Sequence, residues 1–241
     1  MNRLSSTSLH HLPPAVRVPG YDPHEVRTGI VHFGVGAFHR AHQAMYFERL
    51  LEAGHLEWGV CGVGVLPTDR HIRDIFAAQD HLYTLVTVAP GGETEARVIG
   101  SVREFLYAPD DPAAVQVKLA DPATRIVSLT ITEGGYSIND ATGEFEPRDQ
   151  GTLADLSGPA LPHSVLGHVT TALRTRRDAG TVPFTVMSCN NIQANGRIAR
   201  RAVLAFAERV DPALAAWISE HVAFPNSMVD RITPATTDET R

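Results

Sequence analysis

Residues 29–36 read Gly-Ile-Val-His-Phe-Gly-Val-Gly, an apolar run that stops at two glycines. Nothing else in the chain constrains its fold as strongly. A short apolar run bounded by glycine reads as a strand buried on both faces. The period then changes. Over residues 39–54 Ala44, Phe47, Leu50 and Leu51 recur on one helical face, and Gly54 marks the stop. A doubly buried strand leading through glycines into an amphipathic helix is the first half of a strand–helix–strand crossover, and it commits the chain to parallel pairing.

The alternation continues. Residues 57–66 read as a second strand, followed by a helix with Thr68 or Asp69 at its cap and Ile72, Ile75 and Phe76 at helical spacing. Two β-rich stretches flank Pro90-Gly91-Gly92, a hairpin signal. Residues 110–121 form a short helix with acidic residues in its first turn, and 125–132 a strand ending at Glu133-Gly134-Gly135. Helices are expected over 161–180, 196–210 and 211–222, with a strand at 183–189 that ends at Asn190-Asn191. The class is α/β, a doubly wound and mostly parallel sheet with an inserted hairpin. Residues 136–160 are an insertion or edge element. Residues 1–25, polar and carrying Pro13-Pro14, are expected to be a loose arm, and 26–241 the main domain.

Bulk properties narrow the partners. With 241 residues, 43% hydrophobic and 20% charged, the composition is that of an ordinary globular chain. A net charge of −6 lacks the basic footprint of a nucleic-acid binder. No apolar run approaches the ~20 residues needed to cross a bilayer, and the N-terminus has no signal-peptide core. A cytoplasmic chain is therefore expected, with Cys61 and Cys189 as small core residues.

A strand, Gly34-Val-Gly36 and a helix are the parts a dinucleotide pyrophosphate needs. The first glycine permits the turn, the second lets backbone approach the phosphates, and the helix start offers free N–H groups. A third glycine is usual in such Rossmann-type loops; here His39 stands there, followed by Arg40, and both are candidate donors to phosphate. A strand–helix turn using glycine for steric reasons alone fits the loop equally well. Asp69, after the second strand, is placed to bind ribose hydroxyls and would repel a 2′-phosphate, which favours NAD over NADP. Arg70 and Arg73 blur that preference because either can partner a phosphate. The histidines, including His10, His11, His39, His42, His163 and His168, show no metal-ligand spacing. There is no Gly-Lys-Ser/Thr phosphate loop and no Gly-x-Ser-x-Gly elbow.

Six segments together carry a resemblance: 31–44, 58–69, 79–86, 129–136, 184–196 and 224–239. In this order they resemble the polyol-specific long-chain dehydrogenases of the mannitol dehydrogenase family, from about residue 14 to the end. The resemblance implies NAD-dependent interconversion of a polyol and a ketose, of the mannitol–fructose type, without a metal. Relatives acting on arabinitol, fructuronate, tagaturonate or mannitol 1-phosphate remain alternatives, as does a non-catalytic dinucleotide-binding module. By resemblance, Gly34, Gly36, Ala37, Phe38, His39, Arg40 and Asp69 hold the cofactor. Asn191 helps form an oxyanion hole, where loss of one donor typically costs about 3–4 kcal/mol. Val229 and Asp230 lie at the cofactor–substrate junction, and Glu133 at the entrance with a proton-path role.

Two departures stand out. The family's usual Asp-Asn is Asn190-Asn191 here, so a charge is lost and donors gained; if that Asp accepts from two donors, Asn190 orients the loop less firmly, with either reduced activity or an adjusted local network as the outcome. The family's lysine base, in a Lys-x-x-x-x-Asn-x-x-His motif of a mostly helical C-terminal domain, has no counterpart in these 241 residues. The chain alone is thus expected to show little dehydrogenase activity, its own C-terminal domain being the missing partner. Loss of that domain is expected to expose an apolar patch around Phe224, Met228 and Ile232.

Overall fold

The computed structural model describes residues 4–139, 141–158, 161–229 and 233. Its center is a five-stranded parallel sheet of β2 (Thr28–Phe33), β3 (Gly59–Gly64), β6 (Val102–Tyr107), β7 (Ile126–Leu129) and β8 (Thr185–Ser188), in the order β6-β3-β2-β7-β8. Between β2 and β7 the winding reverses, because the chain steps outward through β3 and β6 and then crosses back. Such a switch point opens a crevice at the carboxyl ends of the strands.

Helices cover both faces. On one side lie α1 (Ala37–Ala41), α2 (Gln43–Glu52) and α3 (Asp69–Ala78); on the other α4 (Pro112–Ala120), α6 (Val165–Asp178), α7 (Asn195–Val210) and α8 (Pro212–His221). The strands alternate between two cores, as a pleated strand must. Val31, Phe33, Val127, Leu129 and Val186 join Leu166, Leu173, Val203 and Phe206 in the larger core. Ile30, Val60 and Val102 join Ala44 and Phe76 in the smaller. Cys61 and Cys189 are both buried and unpaired with each other.

The hairpin forms as β4 (Tyr83–Val88) and β5 (Thr94–Ile99), antiparallel about Pro90-Gly91-Gly92. It is not a simple appendage, because β1 (Val16–Arg17) adds to β5 and makes a separate three-stranded sheet. The N-terminal arm is accordingly a strap and not a loose tail. The backbone N–H and hydroxyl of Ser6 donate to Asp80 Oδ2 at 2.9 and 2.7 Å. Tyr21 donates to Glu48 at 3.0 Å. Residues 136–160 contribute an isolated Ile138–Phe145 bridge and α5 (Gln150–Leu156), as an insertion.

Two helical expectations shift. The expected helix after the glycine loop is two, broken at His42 (φ −122°, ψ −80°). Its buried face carries Ala44 and Leu51, but Leu50 is exposed and Glu48 is buried instead. Glu48 can sit inside because Tyr21 and the Gly100 N–H satisfy its oxygens.

Candidate functional site

The glycine loop closes β2 at the switch point. Gly34 has φ +90°, a left-handed conformation, and a side chain there would run into the Thr130 carbonyl of the neighboring strand end. Sterics therefore account for Gly34. They do not account for Gly36, whose backbone (φ −78°, ψ −176°) any residue adopts and whose added Cβ would meet nothing closer than 4.0 Å. A Cβ at position 36 would enter open space above the loop. The missing side chain thus leaves backbone accessible at the carboxyl edge, which is what a pyrophosphate requires. Gly36 caps α1 without a side-chain hydrogen bond, and the first-turn N–H groups, those of Ala37, Phe38 and His39, have no intrahelical acceptor.

His39 does not offer its side chain to that edge. It is fully buried, stacked on His32 with ring centroids 3.7 Å apart and planes at 14°. Neither of its ring nitrogens has a hydrogen-bond partner among the described residues. Burial, with His32 and Arg40 adding to it, holds its pKa well below the ordinary imidazole value. The expectation of a phosphate-contacting His39 side chain is corrected on this point: the ring is neutral and inward, and only its backbone N–H faces the loop. Arg40 is likewise committed, its Nη1 donating to the Val35 carbonyl at 2.7 Å while its own carbonyl accepts from Tyr83. It braces the loop from behind.

His32, which sequence reasoning did not single out, is the loop's floor. Its Nδ1 lies 2.8 Å from Ser128 Oγ, and its Nε2 lies 2.9 Å from Thr130 Oγ1 and 3.2 Å from the Gly34 carbonyl. Thr130 Oγ1 donates to the same carbonyl at 2.6 Å. Burial pushes the His32 pKa down to about 3, so the network is neutral. A histidine inside an apolar strand reads as core in sequence; only the neighboring strand reveals its partners.

Asp69 opens α3 beyond the end of β3. Its Oδ2 accepts from the Val65 and Leu66 N–H groups, both at 2.9 Å, and Oδ1 takes no part in these bonds. The carboxylate is anchored through one oxygen, and the residue is half-buried just beyond the carboxyl end of β3. Arg70 and Arg73 turn away from it to Asp110.

Across the switch point, Asn191 follows β8. It is exposed, whereas its neighbor Asn190 is tied down. Asn190 Oδ1 accepts from the Ile131 N–H at 3.3 Å and from Tyr136 Oη at 2.8 Å, and its Nδ2 donates to the Ile131 carbonyl at 2.5 Å. The side chain reads both backbone polar groups of one residue, Ile131, extending the β7–β8 ladder by a rung. Of the two alternatives for Asn190, the network here is the adjusted one: the donor that asparagine gains is used, and the loop is clamped. Glu133 sits two residues beyond this clamp, exposed, at the start of a short 3-10 turn (Glu133–Tyr136). Burial raises the Cys189 thiol to about 11, so no thiolate stands beside Asn191.

The segment carrying Val229 is locked to the same corner. Asn195, buried, donates to the Ser227 carbonyl and the Asn190 carbonyl at 3.0 Å and accepts from the Ser227 N–H at 2.9 Å. Ser227 Oγ donates to the Ser188 carbonyl at 2.7 Å. Ala194, the N-cap of α7, has no side-chain acceptor; the Gly196 N–H is accepted by Asn195 Oδ1 at 2.8 Å and, from this segment, by Asn226 Oδ1 at 3.0 Å. Val229 is buried at 7% exposure, and Met228 is 92% exposed. Phe224 packs against the larger core, so it does not belong to an exposed patch. Asp230 and Ile232 lie outside the described residues.

The single lysine, Lys118, pairs with Glu104 at 2.5 Å, near the start of β6 and away from the carboxyl edge. Among the described residues no helix is long and apolar enough to cross a membrane.

Comparison with known proteins agrees with this geometry. A family model described as the mannitol dehydrogenase Rossmann domain matches residues 28–241. A polyol:NADP oxidoreductase of Gluconobacter oxydans (strain 621H) is 50% identical over 238 residues, covering 98% of this chain and 49% of that protein. A mannitol 2-dehydrogenase of Cereibacter sphaeroides is 50% identical over 224 residues, covering 92% and 46%. Among solved structures, the Pseudomonas fluorescens mannitol 2-dehydrogenase in ternary complex with NAD and D-mannitol superposes with a TM-score of 0.95 at 48% identity, over 100% of this chain and 49% of that one. A D-sorbitol dehydrogenase in substrate-free form gives 0.94 over 99% and 49%. The chain spans about half the length of the relatives it matches. It belongs to the mannitol dehydrogenase family, as the dinucleotide-binding Rossmann fold of that family.

Proposed function

We propose that this chain supplies the cofactor site of an NAD-dependent oxidoreductase that interconverts a polyol and a ketose of the mannitol–fructose type. The observation that carries the reading is Gly36, a glycine that neither backbone conformation nor packing requires, set above free helix N–H groups at the switch point. The residues fit a dinucleotide. The N–H groups of Ala37, Phe38 and His39 face the pyrophosphate position, and Asp69 Oδ1 is the acceptor for ribose hydroxyls. That acceptor, and its charge, support NAD over NADP.

Bound NAD supplies the hydride chemistry. The protein's own residues bind and orient. Asn191, exposed and held in place by the Asn190 clamp, donates to the oxygen of the reacting carbinol or carbonyl. Val229 lines the junction between cofactor and substrate, Asp230 orients the substrate side, and Glu133 gives the proton a route to solvent. With Lys118 on another face, no lysine of the chain serves as the base, so this chain alone turns over mannitol far below the usual ~10 s⁻¹.

The test is calorimetric titration of the chain with NADH, before and after Gly36→Val. NADH binding is expected, with loss of binding in the variant and little change in melting temperature, because a Cβ at this position meets nothing closer than 4.0 Å. Retained binding in Gly36→Val refutes the loop's role.

A further inference from the structure

The two arginines after Asp69 occupy a position that cofactor choice makes important. Arg70 and Arg73 sit one turn apart on α3, whose start lies at the carboxyl edge beside Asp69. Both guanidinium groups lie over the ring of Tyr107, at 5.1 and 5.4 Å from its centroid. Tyr107 ends β6, the strand next to β3, and Asp110 follows it. The two oxygens of Asp110 are divided between the arginines: Oδ1 pairs with Arg70 Nη2 at 2.8 Å and Oδ2 with Arg73 Nη1 at 2.5 Å. Arg73 is also held by Asp74 at 2.8 Å.

We infer that Asp110 is a specificity-determining residue, one that withholds Arg70 and Arg73 from the 2′-phosphate of a phosphorylated dinucleotide and so keeps the site selective for the unphosphorylated form. The inference rests on the dinucleotide reading above and goes beyond it. Arginine pairs with phosphate in the same forked geometry it uses for carboxylate, so the partner of these guanidinium groups is exchangeable. Arg70 and Asp110 are both substantially exposed, with side chains 54% and 43% accessible, so the pair is held weakly enough for another anion to compete. Asp69 and Asp110 flank the arginines with two negative charges, and Asp74 on α3 adds a third. While both are present, a 2′-phosphate meets a carboxylate at Asp69 and finds its natural partners taken. With Asp110 neutral, Arg70 loses its carboxylate partner beside Asp69 while Arg73 keeps Asp74, and the net charge of the cluster rises from −1 to zero.

The experiment is calorimetric titration of the 241-residue chain with NADH and with NADPH, comparing the unaltered chain with Asp110→Asn and with Asp110→Asn combined with Arg70→Gln and Arg73→Gln. Asp110→Asn is expected to tighten NADPH by about tenfold while NADH changes by less than about threefold. The gain should shrink at higher salt and vanish in the combined variant. Equal tightening of both dinucleotides, which is bulk charge, overturns the inference, as does unchanged NADPH affinity or a gain that survives loss of both arginines. An unaltered chain that already prefers NADPH overturns it too. Binding of neither dinucleotide by the unaltered chain overturns the cofactor reading and this inference with it, whereas NADH binding without a selective gain overturns this inference alone.

Discussion

Glu48 offers a quantitative test of how the glycine loop is supported, because it sits on α2 just beyond it and binds the N-terminal strap to the fold. Its carboxyl is fully buried, accepting from Tyr21 Oη at 3.0 Å and the Gly100 N–H at 2.7 Å. Burial raises its pKa from 4.5 to about 7, against the opposing effect of those two donors. Between these values the unfolded chain has released the proton and the folded chain has not. The folded state is therefore favored in full below pH 4.5, and stability falls as pH rises to 7. A shift of this size corresponds to about 3 kcal/mol at 1.36 kcal/mol per pH unit. Glutamine has the same shape: its carbonyl accepts from Gly100 N–H, and its amide donates to the tyrosine oxygen. Glu48→Gln should match the parent at pH 4 and exceed it by about 3 kcal/mol at pH 8, measured by urea unfolding with linear extrapolation. His32 and His168 titrate in both proteins and cancel in the difference. A stability difference independent of pH, or a glutamine variant weaker at pH 8, refutes the assignment of a proton to this buried carboxyl.

Two further outcomes bear on the site itself. Asn190→Asp replaces the Nδ2 donor with an oxygen facing the Ile131 carbonyl while leaving the two accepted bonds in place; it should cost about 1–3 kcal/mol in urea unfolding at pH 7, and an unchanged midpoint would show that the rung is not formed. NADH affinity should be flat between pH 6 and 8, because His32 titrates near 3 and His39 well below its ordinary value. Affinity that strengthens toward pH 6, and loses that rise in His39→Asn, would place a protonated imidazole beside the pyrophosphate.

The parts of the fold legible in sequence are those whose signal is local. Each strand of the parallel sheet is a short apolar run, each helix a change of period with its stop, and the hairpin turn is written in Pro90-Gly91-Gly92. What sequence misplaced depends on partners far along the chain. Leu50 outranks Glu48 on any hydrophobic scale, yet Glu48 is inside because Tyr21 and Gly100 meet it there. The strap looked loose because its polar residues find their acceptors only at Asp80 and beside β5. His39 looked like a phosphate donor because the stacking partner that turns it inward, His32, lies on a strand read as uniform core.

The same division runs through the site. Gly34, Gly36, Asp69 and Asn191 are visible because each ends an element, and element ends carry characteristic residues. The groups that fix them are not, since His32, Thr130, Tyr136 and Asn226 act across the tops of different strands. Asn190 and Asn191 show the consequence most directly. Adjacent and chemically identical, they differ only in what surrounds them: the first is spent on both polar groups of Ile131, the second is left with its amide exposed at the carboxyl edge. A free amide on a mobile loop would be a poor donor to a reacting oxygen, because the free energy of ordering it would be lost from binding. With Asn190 holding the strand end and Asn195 joining it to the Val229 segment, the backbone that carries Asn191 is held in place, which supports the donor role proposed for it. On that proposal, the clamped asparagine is what positions the backbone of its exposed neighbor.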